Sequence, residues 1–524
     1  MVHPEDDRTI CITYFPTLCF STDSRPNPLP SSHSIMADIE QGKSQTQAIE
    51  YMESSDSKGD IAPVHVAAAD QTRIRRKFDK KMLSIVCLLY VLSYLDRGNI
   101  GNAKTAGIMK DLHLSDTYWV WVLQVFYICY VLFEWTQLFW KILPAHIYVA
   151  ALCFLWGAAA MLSGVSHNKG GLMAARAFLG FFEAAFGAGA PYFLSLFYQR
   201  RELGKRVALL TGMSPLANCF ASSLAYGILH IKGASIAGWR LLFLVEGAPT
   251  VLCAVLVYFR LPDSPDTASF LTEEEKLQAR QRLQTVDRTA KTKVSWTQIF
   301  AGLKDYQNWV HAMIHFCCNY SFAALSNFLP TIVRDMGYTS VNAQGLTAPA
   351  YFLAFLCCMF AAWGSDKYGK RGWFVAAFAS LGTIGYLMLA AIQDESKTGP
   401  RYAAIYFATC GIFPALAINI TWLLNNQGGD SKKGAGLGIL ATFGQCSSFI
   451  SSTLFPSSDR PFYVRGCAVG CAFTGLIVIL SLGLHFKLEH ENRKRDRLYG
   501  VVEEDAHVDV TDGGDANVRF RYLT

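Results

Sequence analysis

The sequence predicts an all-α integral membrane protein whose twelve transmembrane helices form two halves of six helices each. Three observations lead to this prediction. Apolar runs of about 20 residues recur along the chain, and such a run is long enough for a helix to cross ~30 Å of hydrocarbon. Only 17% of the 524 residues are charged, whereas 52% are hydrophobic. A polar segment near the middle of the chain divides the apolar runs into two sets of six.

The domain organisation follows from where the apolar runs begin and end. Residues 1–77 are polar and rich in Ser, Asp and Pro, which predicts a disordered cytoplasmic tail. The two six-helix halves are predicted at 78–260 and 308–487, with a central cytoplasmic loop at 261–307 and a cytoplasmic tail at 488–524. The predicted spans are 82–103, 118–140, 147–165, 171–194, 207–229, 239–259, 308–330, 346–364, 373–392, 402–424, 435–455 and 464–486.

A short cationic turn between spans eight and nine gives the orientation. Its small and polar residues include Gly364, Asp366, Lys367, Gly369, Lys370 and Arg371. Such a turn must lie in water, because its backbone polar groups would be unsatisfied in lipid. Excess Lys and Arg mark cytoplasmic loops, so this turn is predicted to face the cytoplasm. Basic residues at 200–206 and 432–433 agree, and both termini are therefore predicted to be cytoplasmic.

Ionisable side chains inside the spans are the first candidates for function, because each costs ~2.5–3.5 kcal/mol at mid-helix. Arg176 and Glu183 are seven residues apart in span four, so they share a helix face with Gly180 and Gly187. Small residues allow close helix packing, which predicts that this face points into the bundle. Two roles stay open for the pair, a structural charge network or a coupling and gating site. The other deep ionisable residues are Asp96, Arg97, Glu134 and Glu246.

Spans seven and ten each carry a polar face. His311, His315 and Asn319 follow one another at intervals of four residues. The histidines have no evident third metal ligand, so hydrogen-bonded structure is favoured over a metal site, and His315 is a candidate to contact an anion or carry a proton. The polar face of span ten consists of Asn419, Trp422, Asn425 and Asn426. Such a face suits a small planar polar ligand, with simple packing of the aromatic ring as the alternative.

Composition and motifs argue against several other classes of protein. The net charge of +6 is too small to predict nucleic-acid binding. The 15 cysteines include no Cys-x-x-Cys pair, so a zinc ribbon or a disulfide framework is not predicted. The sequence has no Gly-x-Ser-x-Gly, His-Glu-x-x-His or phosphate-loop motif, which makes a membrane enzyme the weakest interpretation. No cofactor and no metal are predicted, and the lipid bilayer is the expected environment.

Several stretches resemble a known family. The turn Gly364-Ser-Asp-Lys-Tyr-Gly-Lys-Arg371 resembles the signature loop of the major facilitator superfamily. Four further stretches resemble its fungal anion:cation symporter branch, which includes allantoate, nicotinate and pantothenate permeases. These are Tyr94-Leu-Asp-Arg-Gly-Asn-Ile-Gly-Asn-Ala103, Arg176-Ala-Phe-Leu-Gly-Phe-Phe-Glu183, Gly238-Trp-Arg-Leu-Leu-Phe-Leu-Val-Glu246 and Leu261-Pro-Asp-Ser-Pro265. The resemblance covers residues 80–495.

The resemblance implies a secondary transporter that opens a central site alternately to the two sides of the membrane. The leading interpretation is proton-coupled uptake of a small organic anion, nicotinate-like or another monocarboxylate, by a monomer in the plasma membrane. Span five lacks the Gly-Pro-rich pattern of drug:proton antiporters, which favours uptake. The loop at 134–146 lacks the family's basic turn, so its gating contacts stay open. The alternatives are an exporter of a fungal secondary metabolite and a nutrient sensor that does not transport.

The interpretation assigns roles to particular residues. Glu183 is the first choice for the proton carrier, with Glu134 and Glu246 as alternatives, and Arg176 is expected to bind the anion. Asp366 is expected to dock against the basic end of span five. The candidate substrate and coupling residues are Asp96, Arg97, Glu134, Arg176, Glu183, Glu246, His315, Asn319, Asn419, Trp422 and Asn425.

Overall fold

The computed structural model describes residues 68–231, 236–284, 296–501, 515 and 517–524. All regular elements in these ranges are helices, which confirms the predicted all-α fold. The helices are α1 Ala68–Phe78, α2 Ser84–Thr105, α3 Ile108–Asp111, α4 Asp116–Phe133, α5 Ala145–Val165, α6 Lys169–Ser195, α7 Arg200–Leu229, α8 Gly238–Arg260, α9 Glu273–Gln284, α10 Trp296–Lys304, α11 Tyr306–Arg334, α12 Ser340–Tyr368, α13 Arg371–Ala391, α14 Thr398–Asn426, α15 Asp430–Gln445, α16 Ser447–Thr453 and α17 Val464–Tyr499.

Two of these helices extend into the predicted tails. The predicted disordered tail at 1–77 lies outside the described residues except at its end, where residues 68–77 belong to α1. The last helix, α17, continues to Tyr499 and so passes the predicted end of its span at residue 486. Its final turns carry many charged residues, so this part of the helix can lie in water beyond the bilayer.

Twelve spans build the bundle, formed by α2 and α4 to α8 in the first half and by α11 to α17 in the second, where α15 and α16 together make span eleven. Nine of the described helices are long and apolar enough to cross a membrane by length and composition alone. The other three spans are more polar or broken. α2 carries Asp96 and Arg97, α11 carries His311 and His315, and span eleven is interrupted at Cys446. Most side chains of α2 and α11 are buried, so protein rather than lipid surrounds their polar groups.

The two halves pack together through central helices. α7 lies along α12, and α2 lies along α11. Close approach depends on residues without a side chain: a Cβ atom at Gly101 would lie 2.7 Å from the main-chain oxygen of Asn327, and one at Gly212 would lie 2.5 Å from the Met359 methyl group. Small residues let helix backbones approach in this way inside a membrane.

The central polar segment is anchored to the residues that precede the first span. Thr272 and Glu275 form a capping box at the start of α9. The Thr272 amide donates to the Glu275 carboxylate at 3.0 Å, and the Glu275 amide donates to the Thr272 hydroxyl at 3.3 Å. Lys77 Nζ donates to both oxygens of the same carboxylate, at 2.8 and 2.6 Å. Burial raises the pKa of Glu275, but the bonds from Lys77 and Thr272 outweigh burial and hold the pKa below its ordinary value. The carboxylate is therefore ionised at neutral pH and keeps this ion pair.

Residues 517–524 contact the inner end of the bundle, defined here as the end that carries the turn at 364–371. The side chain of Asn426 donates to the carbonyl of Leu523 at 2.8 Å and accepts from its amide at 2.8 Å. Trp422 Nε1 also donates to the Leu523 carbonyl, at 2.7 Å. Span ten therefore ends in a clamp that holds both main-chain polar groups of Leu523, its amide and its carbonyl.

A second asparagine clamp holds the neighbouring residue. Asn492 on α17 donates to the carbonyl of Tyr522 at 2.8 Å and accepts from its amide at 2.9 Å. Arg495, one turn further along α17, donates to the carbonyl of Phe520 at 2.9 Å. The segment thus connects the inner ends of α14 and α17 through main-chain hydrogen bonds.

The two clamps give a first testable prediction. We expect the double replacement Asn426→Ala and Asn492→Ala to speed hydrogen exchange at the amides of Tyr522 and Leu523 by about tenfold or more, because each amide loses its acceptor. Exchange mass spectrometry of the 517–524 peptide checks this result. Asn342→Ala, at an exposed position near the outer end, is the control and should leave the exchange unchanged. Equal exchange in the double variant and the parent would show that the clamps do not hold the segment.

Candidate functional site

An arginine–carboxylate pair lies midway along the first half, between α2 and α6. Arg97 donates to Glu183 Oε1 from Nε at 3.1 Å and from Nη2 at 2.8 Å. Ser93 Oγ donates to the same oxygen at 2.6 Å. Both charged side chains are buried. Because removing two charges from water costs several kcal/mol each, such a pair persists only with additional hydrogen bonds of this kind.

Aromatic rings surround the guanidinium group of Arg97. Its Cζ atom lies 4.7 Å from the ring centre of Tyr130, 5.0 Å from that of Tyr94 and 5.3 Å from that of Phe126. Cation–π attraction stabilises a cation in a place from which water is excluded. Tyr94 also packs edge-on against Phe322 of α11, with ring centres 5.5 Å apart. The arginine cluster, defined here as Arg97, Arg176, Glu183 and these aromatic rings, therefore reaches the boundary between the two halves.

Arg176 belongs to the same cluster but lacks a carboxylate partner. Its Cζ atom lies 4.9 Å from the ring centre of Phe126. The side chain is 2% exposed, and its Nε and Nη1 atoms have no hydrogen-bond partner in the described chain. The helix face that carries it packs tightly on α4, since a Cβ atom at Gly180 would lie 2.3 Å from the Phe126 carbonyl oxygen. An anion that reaches Arg176 would accept charge-assisted hydrogen bonds from donors that are otherwise unused.

Two further buried carboxylates, Asp96 and Glu246, lie on α2 and α8. Thr250 Oγ1 donates to Asp96 Oδ2 at 2.9 Å. Glu246 lies one turn before Thr250, and both of its carboxylate oxygens are buried without a hydrogen-bond partner among the described residues. Neither Asp96 nor Glu246 forms an ion pair in this part of the chain, in contrast to Glu183. The predicted membrane carboxylates therefore differ in their partners: Glu183 is paired with an arginine, whereas Asp96 and Glu246 have carboxylate oxygens without a described partner.

Hydrogen bonds join the two halves on both sides of the arginine cluster. Towards the inner end, Thr442 Oγ1 of α15 donates to Glu134 Oε2 at 3.1 Å. Towards the outer end, Asn327 Nδ2 of α11 donates to the hydroxyl of Tyr127 at 3.1 Å. The cluster thus lies between two sets of contacts that have to separate if a molecule is to pass from one end to the other.

The polar faces of spans seven and ten meet at the inner end. His311 Nδ1 and Asn419 Oδ1 are 2.8 Å apart, and Asn419 Nδ2 donates to the main-chain oxygen of His311 at 3.0 Å. The His311 ring packs edge-on against Trp422, with ring centres 4.9 Å apart. Asn419 and Trp422 therefore have protein partners in this conformation, and a binding role for them stays a prediction.

His315 and Asn319 retain unused polar atoms. A Cβ atom at Gly444 would lie 2.5 Å from His315 Cδ2 and 3.0 Å from Asn319 Nδ2, so both side chains lie against α15. His315 Nδ1 and Asn319 Nδ2 are buried without a hydrogen-bond partner within the described ranges. In those ranges no group of three His, Cys, Asp or Glu side chains could hold a metal ion. These two residues remain candidates for contact with a ligand.

The predicted gating turn joins α12 to α13 at the inner end. Gly369 has φ of 66°, a left-handed conformation that glycine adopts without strain. Arg371 Nη2 donates to Asp366 Oδ1 at 2.7 Å, and Arg371 is buried. The partner of Asp366 is therefore within the turn rather than on span five, where we expected it. Arg206 of span five instead donates to Asp79, at 2.7 and 2.9 Å.

The turn nevertheless reaches span five through a glycine. A Cβ atom at Gly204 of α7 would lie 3.3 Å from Arg371 Nη2 and 3.6 Å from Asn425 Nδ2. The buried guanidinium group thus lies at the contact between the two halves, with Asp366 as its counter-charge. Gly364 leaves room for the Phe374 ring, since a Cβ atom at residue 364 would lie 2.6 Å from that ring.

This geometry predicts a kinetic role for Asp366. We expect Asp366→Asn to lower the transport rate about tenfold or more while the dissociation constant for substrate changes less than about threefold, because Arg371 loses its counter-charge at the contact between the halves. Initial rates and equilibrium binding on the same purified protein separate the two effects. Lys370→Gln, an exposed position in the same turn, is the matched control. An unchanged rate in folded protein would remove the gating role.

Some residues of the cluster carry little signal in the sequence. Ser93 lies one helical turn before Arg97, and a search for hydroxyl groups at that interval would have found it. Tyr94, Tyr127 and Tyr130 are aromatic residues among many others in apolar runs. Only the packing of α2, α4 and α6 brings them to the arginine side chains.

Sequence comparison links the chain to membrane transporters. Residues 86–488 match the family described as the Major Facilitator Superfamily. An MFS-type transporter efuF of Hormonema carpetanum is 32% identical over 85% of this chain and 91% of its own length. A high-affinity nicotinic acid transporter of Saccharomyces cerevisiae is 30% identical over 90% of this chain and 87% of its own length. A major facilitator-type transporter hxnP of Emericella nidulans is 29% identical over 88% of this chain and 94% of its own length.

Solved structures share the fold at low sequence identity. A bacterial homologue of the human lysosomal transporter Spinster, inward-facing and unoccupied, has a TM-score of 0.57 and 13% identity over 80% of this chain and 97% of that chain. The proton:xylose symporter XylE, bound to a bromodeoxyglucose, has a TM-score of 0.57 and 16% identity over 76% of this chain and 94% of that chain. These similarities concern the arrangement of helices and not the ligands.

Proposed function

The chain belongs to the major facilitator superfamily, and from this membership we propose that it imports a small organic monocarboxylate of the nicotinate kind together with a proton. It is a multi-pass membrane transporter of small molecules and not an enzyme. The observation that supports an anionic substrate most strongly is Arg176, a buried guanidinium group with unused donors beside an aromatic cluster. One of its relatives, the Saccharomyces cerevisiae protein, is named a nicotinic acid transporter.

The cluster offers a small aromatic acid both kinds of contact that it needs. A carboxylate accepts paired hydrogen bonds from a planar guanidinium group, which matches its two oxygens. The rings of Tyr94, Phe126 and Tyr130 supply a surface on which a planar ligand can pack. Small-molecule sites typically combine such an apolar lining with a few polar groups that fix the orientation.

Charge balance in the cluster suggests how a proton is coupled to the substrate. Ionised Glu183 holds Arg97 through two hydrogen bonds, so Arg97 is not free for a second carboxylate. A proton on Glu183 removes the negative charge and weakens that hold. Arg97 can then join Arg176 in binding the substrate carboxylate. When the site opens to the less acidic inside, loss of the proton restores the Arg97–Glu183 pair and expels the substrate.

The experiment that tests this proposal is a transport assay with a panel of compounds. Purified protein in vesicles is given labelled nicotinate, benzoate, pantothenate and larger cyclic metabolites, and uptake and efflux are measured for each. Selective uptake of small monocarboxylates supports the proposal. Efflux of bulky metabolites without uptake of acids would favour an exporter, and saturable binding of an acid without flux in either direction would favour a sensor.

The proposal includes a plasma-membrane monomer with both termini in the cytoplasm, and its topology is directly testable. We expect cysteines at Lys169 and Lys397 to react with an impermeant thiol reagent from outside, and a cysteine at Lys370 to react only after the membrane is permeabilised. All three positions are exposed, so burial does not limit the reaction. The parent chain, with its own cysteines, gives the background. The reverse pattern would invert the orientation and reject the proposal of cytoplasmic termini.

A further inference from the structure

A pocket opens at the outer end of the bundle, beyond the arginine cluster. It has a volume of about 250 Å³ and is lined by side chains of both halves. Lys104 and Trp119 come from the first half, and Phe328, Phe455 and Ser457 come from the second. The pocket therefore lies on the boundary along which a substrate from outside would pass.

Lys104, a largely buried lysine that lines the pocket, is the unusual feature of this site. The side chain is 7% exposed, and its Nζ atom lies 5.5 Å from the ring centre of Trp119 and 5.2 Å from that of Phe328. Among the described residues it forms no hydrogen bond and no ion pair. Two aromatic faces attract the charge of the ammonium group. They do not serve as conventional acceptors for its three N–H donors.

Trp119, which also lines the pocket, has a second donor without a partner in the described chain. Trp119 is 2% exposed, and its Nε1 atom is buried with no hydrogen-bond acceptor in the part of the chain that the structure describes. A buried indole N–H normally finds an acceptor, because a buried donor without a hydrogen bond costs free energy. Lys104 and Trp119 thus line the same small pocket, and each has a donor without a partner among the described residues. A carboxylate has the acceptor oxygens and the charge that they lack.

The acidic side chains near the pocket are already engaged. Asp116 accepts a hydrogen bond from a serine hydroxyl of the second half at 2.9 Å. Asp335 pairs with Arg334 at 2.8 Å and with Arg460 at 3.2 Å. These four residues are the charged groups that act most strongly on Lys104. Together with Lys104, these groups comprise three cations and two carboxylates, so their net charge favours an anion.

We propose that Lys104 and Trp119 form an outer capture site for carboxylates, which binds the substrate before it reaches the arginine cluster. The inference rests on the proposed function, because it assigns the first step of uptake. Arg97 precedes Lys104 by seven residues, so it lies two turns deeper on the same face of α2, roughly 10 Å away along the axis. A cationic pocket at the mouth raises the local concentration of anions above that of the bulk solution.

The experiment places a reporter cysteine at Thr117, an exposed residue that lines the pocket, in the full-length protein in vesicles. Its rates of modification by an anionic and a cationic thiosulfonate report the local potential, with the parent chain as background, and nicotinate is the carboxylate probe. Lys104→Met is expected to lower the anionic-to-cationic rate ratio about tenfold and to raise the nicotinate concentration for half-protection by about tenfold or more. Lys104→Arg should preserve both values.

Several outcomes distinguish this site from the proposed function. A neutral thiosulfonate reports whether the pocket keeps its shape, and Lys104→Gln replaces Lys104→Met if it does not. An unchanged rate ratio and unchanged protection in the uncharged variant overturn the site. Protection that depends on Lys104 without transport of any carboxylate supports the site and rejects the proposed function. Transport of nicotinate with protection that ignores Lys104 rejects the site alone. In an Arg176→Gln background nicotinate should still protect, because the capture site lies outside the cluster.

Discussion

Glu183→Gln is expected to abolish the accumulation of substrate against its gradient while exchange of labelled for unlabelled substrate continues. Glutamine resembles the protonated carboxyl group in shape and cannot release a proton, so the proton gradient no longer biases the direction of transport. Arg97 would be held less tightly, because its bonds to an ionised oxygen become bonds to a neutral amide. Accumulation under an imposed pH difference and exchange at equal pH, measured in the same vesicles, check this prediction.

Glu246→Gln is the matched comparison for Glu183→Gln. It also removes a buried carboxyl group from the first half, but Glu246 forms no ion pair with a described arginine. We expect it to retain uphill accumulation. If Glu183→Gln still concentrates substrate in folded protein, the proton carrier is not Glu183, and Glu246 or Glu134 takes its place.

Arg176→Gln is expected to weaken substrate binding by about 100-fold, equivalent to about 3 kcal/mol, because a buried carboxylate loses its charged partner. Arg176→Lys keeps the charge but offers a single point donor instead of a planar pair, so its loss should be smaller. Titration of the purified protein with labelled nicotinate gives both values. Monodispersity in detergent shows whether each variant is folded, since the guanidinium group also lies over the Phe126 ring. Unchanged affinity in folded Arg176→Gln would remove this residue from the binding site.

Helix periodicity was sufficient to predict the stripe on α6 but not its partners. Arg176 and Glu183 share a face at a seven-residue interval, and Gly180 on that face does pack against α4. The sequence could not show that Glu183 binds Arg97, because that contact depends on how α2 and α6 are rotated towards each other. The sequence places Arg176 and Glu183 on one helix face, about two turns apart, whereas the structure brings Arg97 into direct contact with Glu183.

The inner end of the bundle shows the same limit. The family resemblance predicts that Asp366 binds span five. In the structure its partner is Arg371, only five residues away, which donates to its carboxylate. Trp422 and Asn426 belong to the predicted polar face of span ten, yet they bind the main chain of Leu523, a residue about one hundred positions later. No local pattern encodes a contact between such distant segments. The composition of the spans is readable from sequence, whereas partners across helices depend on packing.

Accumulation of nicotinate driven by a pH difference is the most direct test of proton-coupled import. Purified protein in vesicles is given labelled nicotinate outside, with the external side more acidic than the interior, and the internal concentration is followed to steady state. Proton-coupled import predicts that the internal concentration rises above both the external one and that in protein-free vesicles under the same pH difference, and that it falls back to equality when a protonophore dissipates the gradient. Two results would contradict proton-coupled import. One is simple equilibration that ignores the pH difference, and the other is accumulation only when the vesicle interior is the more acidic side.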